Sequence, residues 1–176
     1  MADAKVLEAQ KWVNKTYGSV PGYQKCPEDG KTGWSTMYAL TMGLQKELGV
    51  SPVVANFGDG TVAALGELGS GWAKNQNIIK IIRYGLFCKG YTGGYSDTGY
   101  YDPDITLAVK HMQGDMGLSQ NGTLHPKVFK ALLNMDAYVL TAGGSDEVRS
   151  IQQWLNGRYW TKKTVDIGPR RRALLA

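Results

Sequence analysis

Histidine is scarce in this chain, with two in 176 residues, and neither His111 nor His125 has a second histidine or a carboxylate at metal-ligand spacing. A zinc site built on histidine and a histidine-activated nucleophile therefore both lack their materials. Two cysteines, Cys26 and Cys88, are too few for a disulfide framework. Free thiols are the expected state; a bridge between them stays open, because pairing depends on a Cα separation that sequence does not give. Six prolines against 23 glycines point to tight turns rather than rigid linkers. No window is long and apolar enough to cross a membrane, and the first eight residues hold no apolar signal core. The expected product is soluble and is made without a signal peptide.

Charge of neither sign dominates. Lys+Arg 20 over Asp+Glu 15 gives a formal net charge of +5, and the sequence pI is about 9.1. Such a field favours polyanions. Part of the excess sits in Arg170, Arg171 and Arg172, however, so an ordinary solvated surface with a basic tail is the simpler account.

What the chain does have is a repeated helical grammar. Asp102 is placed to cap a helix with Pro103 at its first position. Ile105, Ala108, Val109, Met112 and Met116 then follow at three- and four-residue steps, and Gly117 is the left-handed stop. After Asn121-Gly122, Pro126 restarts a helix whose buried face is Val128, Phe129 and Leu132. The same order appears earlier: Met37, Leu40, Leu44 and Leu48 form the stripe, Gly49 ends it, and a short helix follows Asn56 to Gly60. Leu44-Gln45 with Gly49-Val50 matches Met112-Gln113 with Gly117-Leu118, and Ala64-Leu65 matches Ala131-Leu132, a repeat of about 67 residues. Each copy opens with a further helix, one from about Asp3 to Tyr17 and one from about Asn77. The second is rich in β-branched residues, yet Ile78, Ile81, Ile82 and Leu86 also fit a helix, and the repeat favours that reading. Long glycine-rich loops follow both opening helices, at 18–33 and 90–101. After Gly143-Gly144, Gln152 to Tyr159 echoes Gln10 to Tyr17, the first helix of a third unit that does not continue. The expected fold is all-α, with units at 1–70 and 71–141 and an incomplete third with a basic tail at 142–176.

The motifs resemble a known family. Ala108-Val109 with Gln113 and Gly117-Leu118, followed by a turn and a Gly-Pro-x-Thr-x-x-Ala-Leu pattern, is similar to the peptidoglycan-binding-like domain, a three-helix module appended to bacterial cell-wall hydrolases. Gly58-Asp59-Gly60-Thr61 with Ala64-Leu65 fits the second motif except for Asp59 in place of proline. His125-Pro126-Lys127-Val128 keeps the proline and lacks the glycine and threonine. The resemblance covers most of residues 5 to 136. It implies two tandem three-helix modules that bind peptidoglycan or its glycan and muropeptide fragments. It also resembles Gram-positive wall proteins in which such modules precede a glycoside-hydrolase-like domain, and so implies the targeting part of a wall hydrolase or endolysin-like lysis protein. That part would act at the wall after lysis or non-classical export, alone or with a hydrolase partner.

The residues themselves offer little for catalysis. Glu28-Asp29 and Asp102 with Asp104 are the close carboxylates in suggestive places; Asp102 is better explained as a cap and Glu28-Asp29 as a solvated turn. Gly93-Gly94 sits among tyrosines and not in a phosphate loop. No catalytic residue, metal or cofactor is expected. Sugars and stem peptides are held by flat aromatic faces and by amide or hydroxyl groups, which cluster at the repeat's loops. The candidates are Tyr23, Trp34, Tyr38, Asn56 and Phe57 in the first unit and Tyr95, Tyr100, Tyr101 and Asn121 in the second. Against each stands the plainer role of an aromatic closing a small core. A protein-docking module on the same fold is the alternative. Nucleic acid is not expected, because the turns carry few arginines or lysines.

Overall fold

The structure is a computed structural model that describes residues 2–91 and 97–135. The expected third unit at 142–176, with its Arg170 to Arg172 run, and Tyr95 lie outside the described residues. Within them the chain is all-helical. Six helices follow one another: Ala4–Tyr17 (α1), Trp34–Glu47 (α2), Asp59–Ala64 (α3), Gln76–Cys88 (α4), Pro103–Asp115 (α5) and Pro126–Leu132 (α6). Three (α1 to α3) precede the Gly69-Ser70-Gly71 turn and three (α4 to α6) follow it.

Local chemistry sets the helix ends. Asp3 Oδ1 accepts from the N–H groups of Lys5 and Val6 at 2.8 and 3.1 Å, and Asn75 Oδ1 does the same for Asn77 and Ile78 at 2.9 and 3.1 Å. Asp102 caps α5 through Ile105 N–H at 2.9 Å, with Pro103 behind it as expected. At the other end Gly49 and Gly117 share a φ of 73°, and the next N–H closes back five residues in both, Val50 to Gln45 O at 2.9 Å and Leu118 to Gln113 O at 2.8 Å. That geometry satisfies the last carbonyls of α2 and α5 and demands the left-handed residue that glycine supplies.

Helix α4 is the centre of the molecule, packing against α1, α2, α5 and α6. Nine of its thirteen residues are buried, and Gln76, Asn77, Lys80 and Phe87 form the narrow, less buried stripe that remains. The Ile78, Ile79, Ile81 and Ile82 run would suit a strand by propensity alone; burial among four helices decides for helix. One hydrophobic core runs through both trios, from Val6 and Leu40 through Ile81 to Phe129 and Leu133. Units of this size bury too little surface alone to be comfortably stable. A three-donor junction also links them: Glu47 at the end of α2 accepts from Tyr17 Oη, Asn75 Nδ2 and Asn77 Nδ2, each at 2.8 Å.

The two long loops are fastened by different chemistry. Buried Gln10 accepts from Asp29 and Gly30 N–H at 3.0 and 2.8 Å and donates to Lys31 O and Thr36 Oγ1 at 3.0 Å. Asn14 holds Cys26 from both sides, accepting from its N–H at 3.0 Å and donating to its carbonyl at 2.8 Å, and donates to Glu28 Oε1 at 3.0 Å. Glu28 and Asp29 form the solvated turn expected of them, both exposed, and are tied in addition to the buried amides of α1. The second loop is held by a buried ion pair, Arg83 Nη2 to Asp102 Oδ2 at 2.8 Å, with Thr98 Oγ1 donating to the same oxygen at 2.7 Å. Cys26 and Cys88 are both free and buried. Burial raises both thiols, Cys26 to about 11 and Cys88 to about 12, which makes them poor nucleophiles.

Candidate functional site

A cleft of about 390 Å³ opens where α5 turns into α6. That is the lower part of the range for small-ligand sites. Its floor is built around Gln113, buried in the last turn of α5. Gln113 Oε1 accepts from Gly122 N–H at 2.8 Å, and its Nε2 donates to Asn121 Oδ1 at 2.8 Å and Thr123 O at 3.0 Å. Asn121 Oδ1 also accepts from Thr123 N–H at 2.9 Å. With its oxygen engaged twice inside the turn, the exposed Asn121 offers its Nδ2 group outward.

Gly122 is required here. Its φ is 76°, and a Cβ would meet Thr106 Cγ2 at 2.8 Å. Beneath it, Tyr101 Oη donates to Gly122 O at 2.7 Å, so a fully buried tyrosine supports the turn from the core side. Leu124 then pairs with Leu68 as an antiparallel bridge, and this fixes the turn to the segment that precedes α4. His125 caps α6: its Nδ1 accepts from Lys127 N–H at 3.3 Å.

The walls combine several kinds of chemistry. Leu118 and Val128 supply apolar surface, Ser119 and Thr123 hydroxyl groups, and Asn121 and Gln113 amides. Glu67 brings a carboxylate, Lys127 an ammonium and His125 an imidazole. Such a lining can hold a polar ligand with charge of both signs. A smaller hollow of about 70 Å³ lies between α1 and α4. Its own side chains are engaged with one another, Lys5 over the Phe87 ring at 4.9 Å and Lys80 with Asp97 at 2.8 Å. Among the described residues no three His, Cys, Asp or Glu side chains come together as a metal site, and no helix is long and apolar enough to cross a membrane.

Of the residues the sequence nominates, the cleft includes Asn121. Tyr101 and Phe57 are core residues, 0% and 5% exposed, with the Phe57 ring 6.3 Å from that of Phe129. Small helical units need large buried rings, and these two supply them. Asn56 is exposed, and its carbonyl accepts from Gln45 Nε2 at 2.8 Å. Tyr23 is half-buried and donates to Asn14 Oδ1 at 3.1 Å as part of the loop fastening. Trp34 and Tyr38 stack on α2 with centroids 5.3 Å apart, and Trp34 is 39% exposed. Tyr100 is 40% exposed. Neither Trp34, Tyr38 nor Tyr100 lines the cleft. Sequence reasoning missed Gln113, His125 and Lys127 as lining residues; the recurrence of Gln113 at the Gln45 position was the available signal. Glu67 gave none.

Comparison with known proteins bears on this geometry. The family described as a peptidoglycan binding domain matches residues 75–132, the span of α4 to α6. A second family, described as the FadG/YbfG PGDB-like domain, matches residues 141–172, outside the described residues. The uncharacterized protein FadG of Bacillus subtilis (strain 168) is 48% identical over 171 residues, 95% of this chain and 30% of FadG. The uncharacterized protein YbfG of the same organism is 41% identical over 163 residues, 90% of this chain and 22% of YbfG. The chain thus spans under a third of the length of these curated relatives. No solved structure matches it. Residues 75–132, the span of α4 to α6, thus match a peptidoglycan binding domain, and the cleft lies between the last two of those helices.

Proposed function

We propose that the chain binds bacterial cell wall through the α5–α6 cleft and serves as a targeting part for a wall-degrading or wall-remodelling activity. The observation that carries this reading is the cleft itself. Apart from Glu67 its lining lies within the stretch matched to peptidoglycan binding; it sits on a turn held by a buried glutamine and presents neutral donors such as Asn121 Nδ2 beside two branched aliphatic side chains. Peptidoglycan offers amides, hydroxyls and carboxylates in the same mixture. The site of action on this reading is the wall, reached by lysis or non-classical export.

The test is co-sedimentation of the purified chain with sacculi stripped of teichoic acid, across a salt series, with turbidity followed throughout. Pelleting that survives high salt at constant turbidity is the expected result, because the amide, hydroxyl and apolar groups of the cleft are screened little, while Glu67 and Lys127 add a share that salt reduces. Asn121→Ala should weaken pelleting about fivefold to tenfold, the loss of one or two hydrogen bonds. A chain that stays in the supernatant, or pellets at low salt alone, overturns the proposal and leaves docking to a protein partner as the use of the fold.

A further inference from the structure

The cleft is not made by the family-matched stretch alone. Glu67 lines it but precedes residues 75–132, coming from the segment between α3 and α4. It is delivered there by the Leu68–Leu124 bridge, in which Leu68 N–H donates to Leu124 O at 3.1 Å and Leu124 N–H to Leu68 O at 2.7 Å. A carboxylate from the first half of the chain thus shares one small cleft with the His125 ring and the Lys127 ammonium of the second half. The lining holds no tyrosine, tryptophan or phenylalanine. A pyranose ring is commonly gripped by a flat aromatic face, and a strand of N-acetylated sugars has no ammonium for a carboxylate to meet. A wall peptide supplies that missing partner, the side-chain amine of a diamino acid, together with carboxylates.

We infer that the cleft takes the peptide part of the wall, not the glycan, and that Glu67 reads a ligand amine while His125 and Lys127 meet a ligand carboxylate. The inference rests on the wall-binding reading above and makes its site composite: the matched domain supplies the groove, and the preceding segment supplies the group that selects for positive charge.

The experiment is calorimetric titration of the full chain, wild type and Glu67→Gln, with three probes: free stem peptides released from sacculi by an amidase, the same peptides with their amines acetylated, and peptide-free glycan strands. Glu67 is exposed, and glutamine keeps its shape, so the variant should fold as the parent does. Wild type is expected to bind the free peptides about fivefold more tightly than the acetylated ones, the size of one partly exposed ion pair. Glu67→Gln should abolish that difference and leave the acetylated peptides unchanged. Binding of glycan strands in place of peptides overturns the inference, as does a Glu67→Gln effect of equal size on both peptides. If no peptide binds while the chain still pellets with sacculi, the inference falls and wall binding stands; if neither occurs, wall binding falls and the inference with it.

Discussion

Gln45 in the first trio and Gln113 in the second hold the same place, four residues before the glycine that stops α2 or α5. Both are buried and both fasten the turn that follows, Gln45 through Val54 N–H at 2.7 Å and Gln113 through Gly122 N–H at 2.8 Å. They differ in what the amide nitrogen reaches. Gln45 Nε2 donates to Thr61 Oγ1 at 3.0 Å and so draws the turn onto α3 itself. Gln113 Nε2 donates to Asn121 within the turn, and the residue at the Thr61 position is Val128, an aliphatic wall of the cleft. Where the second trio has His125 and Lys127, the first has Gly58 and Gly60. A shared anchor therefore fixes the backbone, and the side chains beyond it differ: hydroxyl and glycine in the first trio, aliphatic, imidazole and lysine side chains lining a cleft in the second. The loops after the opening helices make the same point with other materials: neutral amides fasten one, and a buried ion pair fastens the other.

That second contrast gives the largest expected effect. Arg83→Met leaves the Asp102 carboxylate buried without its guanidinium and should cost about 3–5 kcal/mol in urea unfolding. Adding Asp102→Asn, which keeps a competent helix cap, should recover much of the loss. The corresponding change in the first loop, Gln10→Ala, should cost about 1–3 kcal/mol, because it orphans neutral N–H groups rather than a buried charge. Amide exchange at Asp29 and Gly30 should quicken in that variant while Gly122 is unchanged. Equal costs for the two loops would show that the charge in the second confers no special dependence.

Acid should separate the halves further. Burial on its own would raise the Asp102 carboxyl, but hydrogen bonds from Arg83, Ile105 N–H and Thr98 outweigh it and hold the group below the usual carboxylate range. Glu47 is likewise held low, with hydrogen bonds from Asn75, Tyr17 and Asn77 outweighing burial. A carboxylate whose folded value is depressed contributes stability that is fully present above its unfolded value and is lost as pH falls through the folded one. Thermal stability should therefore be level above about pH 5 and decline from about pH 4 downward. The Arg83→Met, Asp102→Asn double variant should decline less steeply; an unaltered acid limb would assign the effect to Glu47 and to Asp29, which hydrogen bonds from Lys31 N–H and Gln10 also hold low.

The smallest effect is expected at the stacked pair on α2. Trp34→Ala should leave sacculus pelleting within about twofold, as for an exposed substitution away from the site. A larger loss would make the first trio a binding partner of the second and erase the distinction between them.

Much of this was legible in residue order. The Asp102 cap, the Gly117 stop and the Ile105 to Met116 stripe lie where local rules put them, because caps and stops are decided within a few residues. The helical state of α4 was legible through the spacing of Ile78, Ile81, Ile82 and Leu86 together with the repeat; its β-branched composition alone would have favoured a strand. The site was harder to read. Asn121 stood out because an Asn-Gly turn is a local signal, whereas the burial of Phe57 and Tyr101 depends on which helices pack over them. Glu67 was invisible: it lies in a segment that reads as a boundary, and its position comes from one long-range bridge. The amides of Gln10 and Asn14 were equally silent, since a polar residue on an amphipathic helix gives no notice that a loop will fold over it.

The junction at Glu47 has a practical corollary for protein engineering. A graft that transplants residues 75–132 onto a new host would leave Asn75 and Asn77 without the carboxylate they donate to, and would discard Glu67 and the strand-like partner of Leu124. The portable cassette is accordingly the whole pair of trios, residues 2–135, and a host fused to it should attach before Asp3, where the α1 cap marks the first fixed point of the fold.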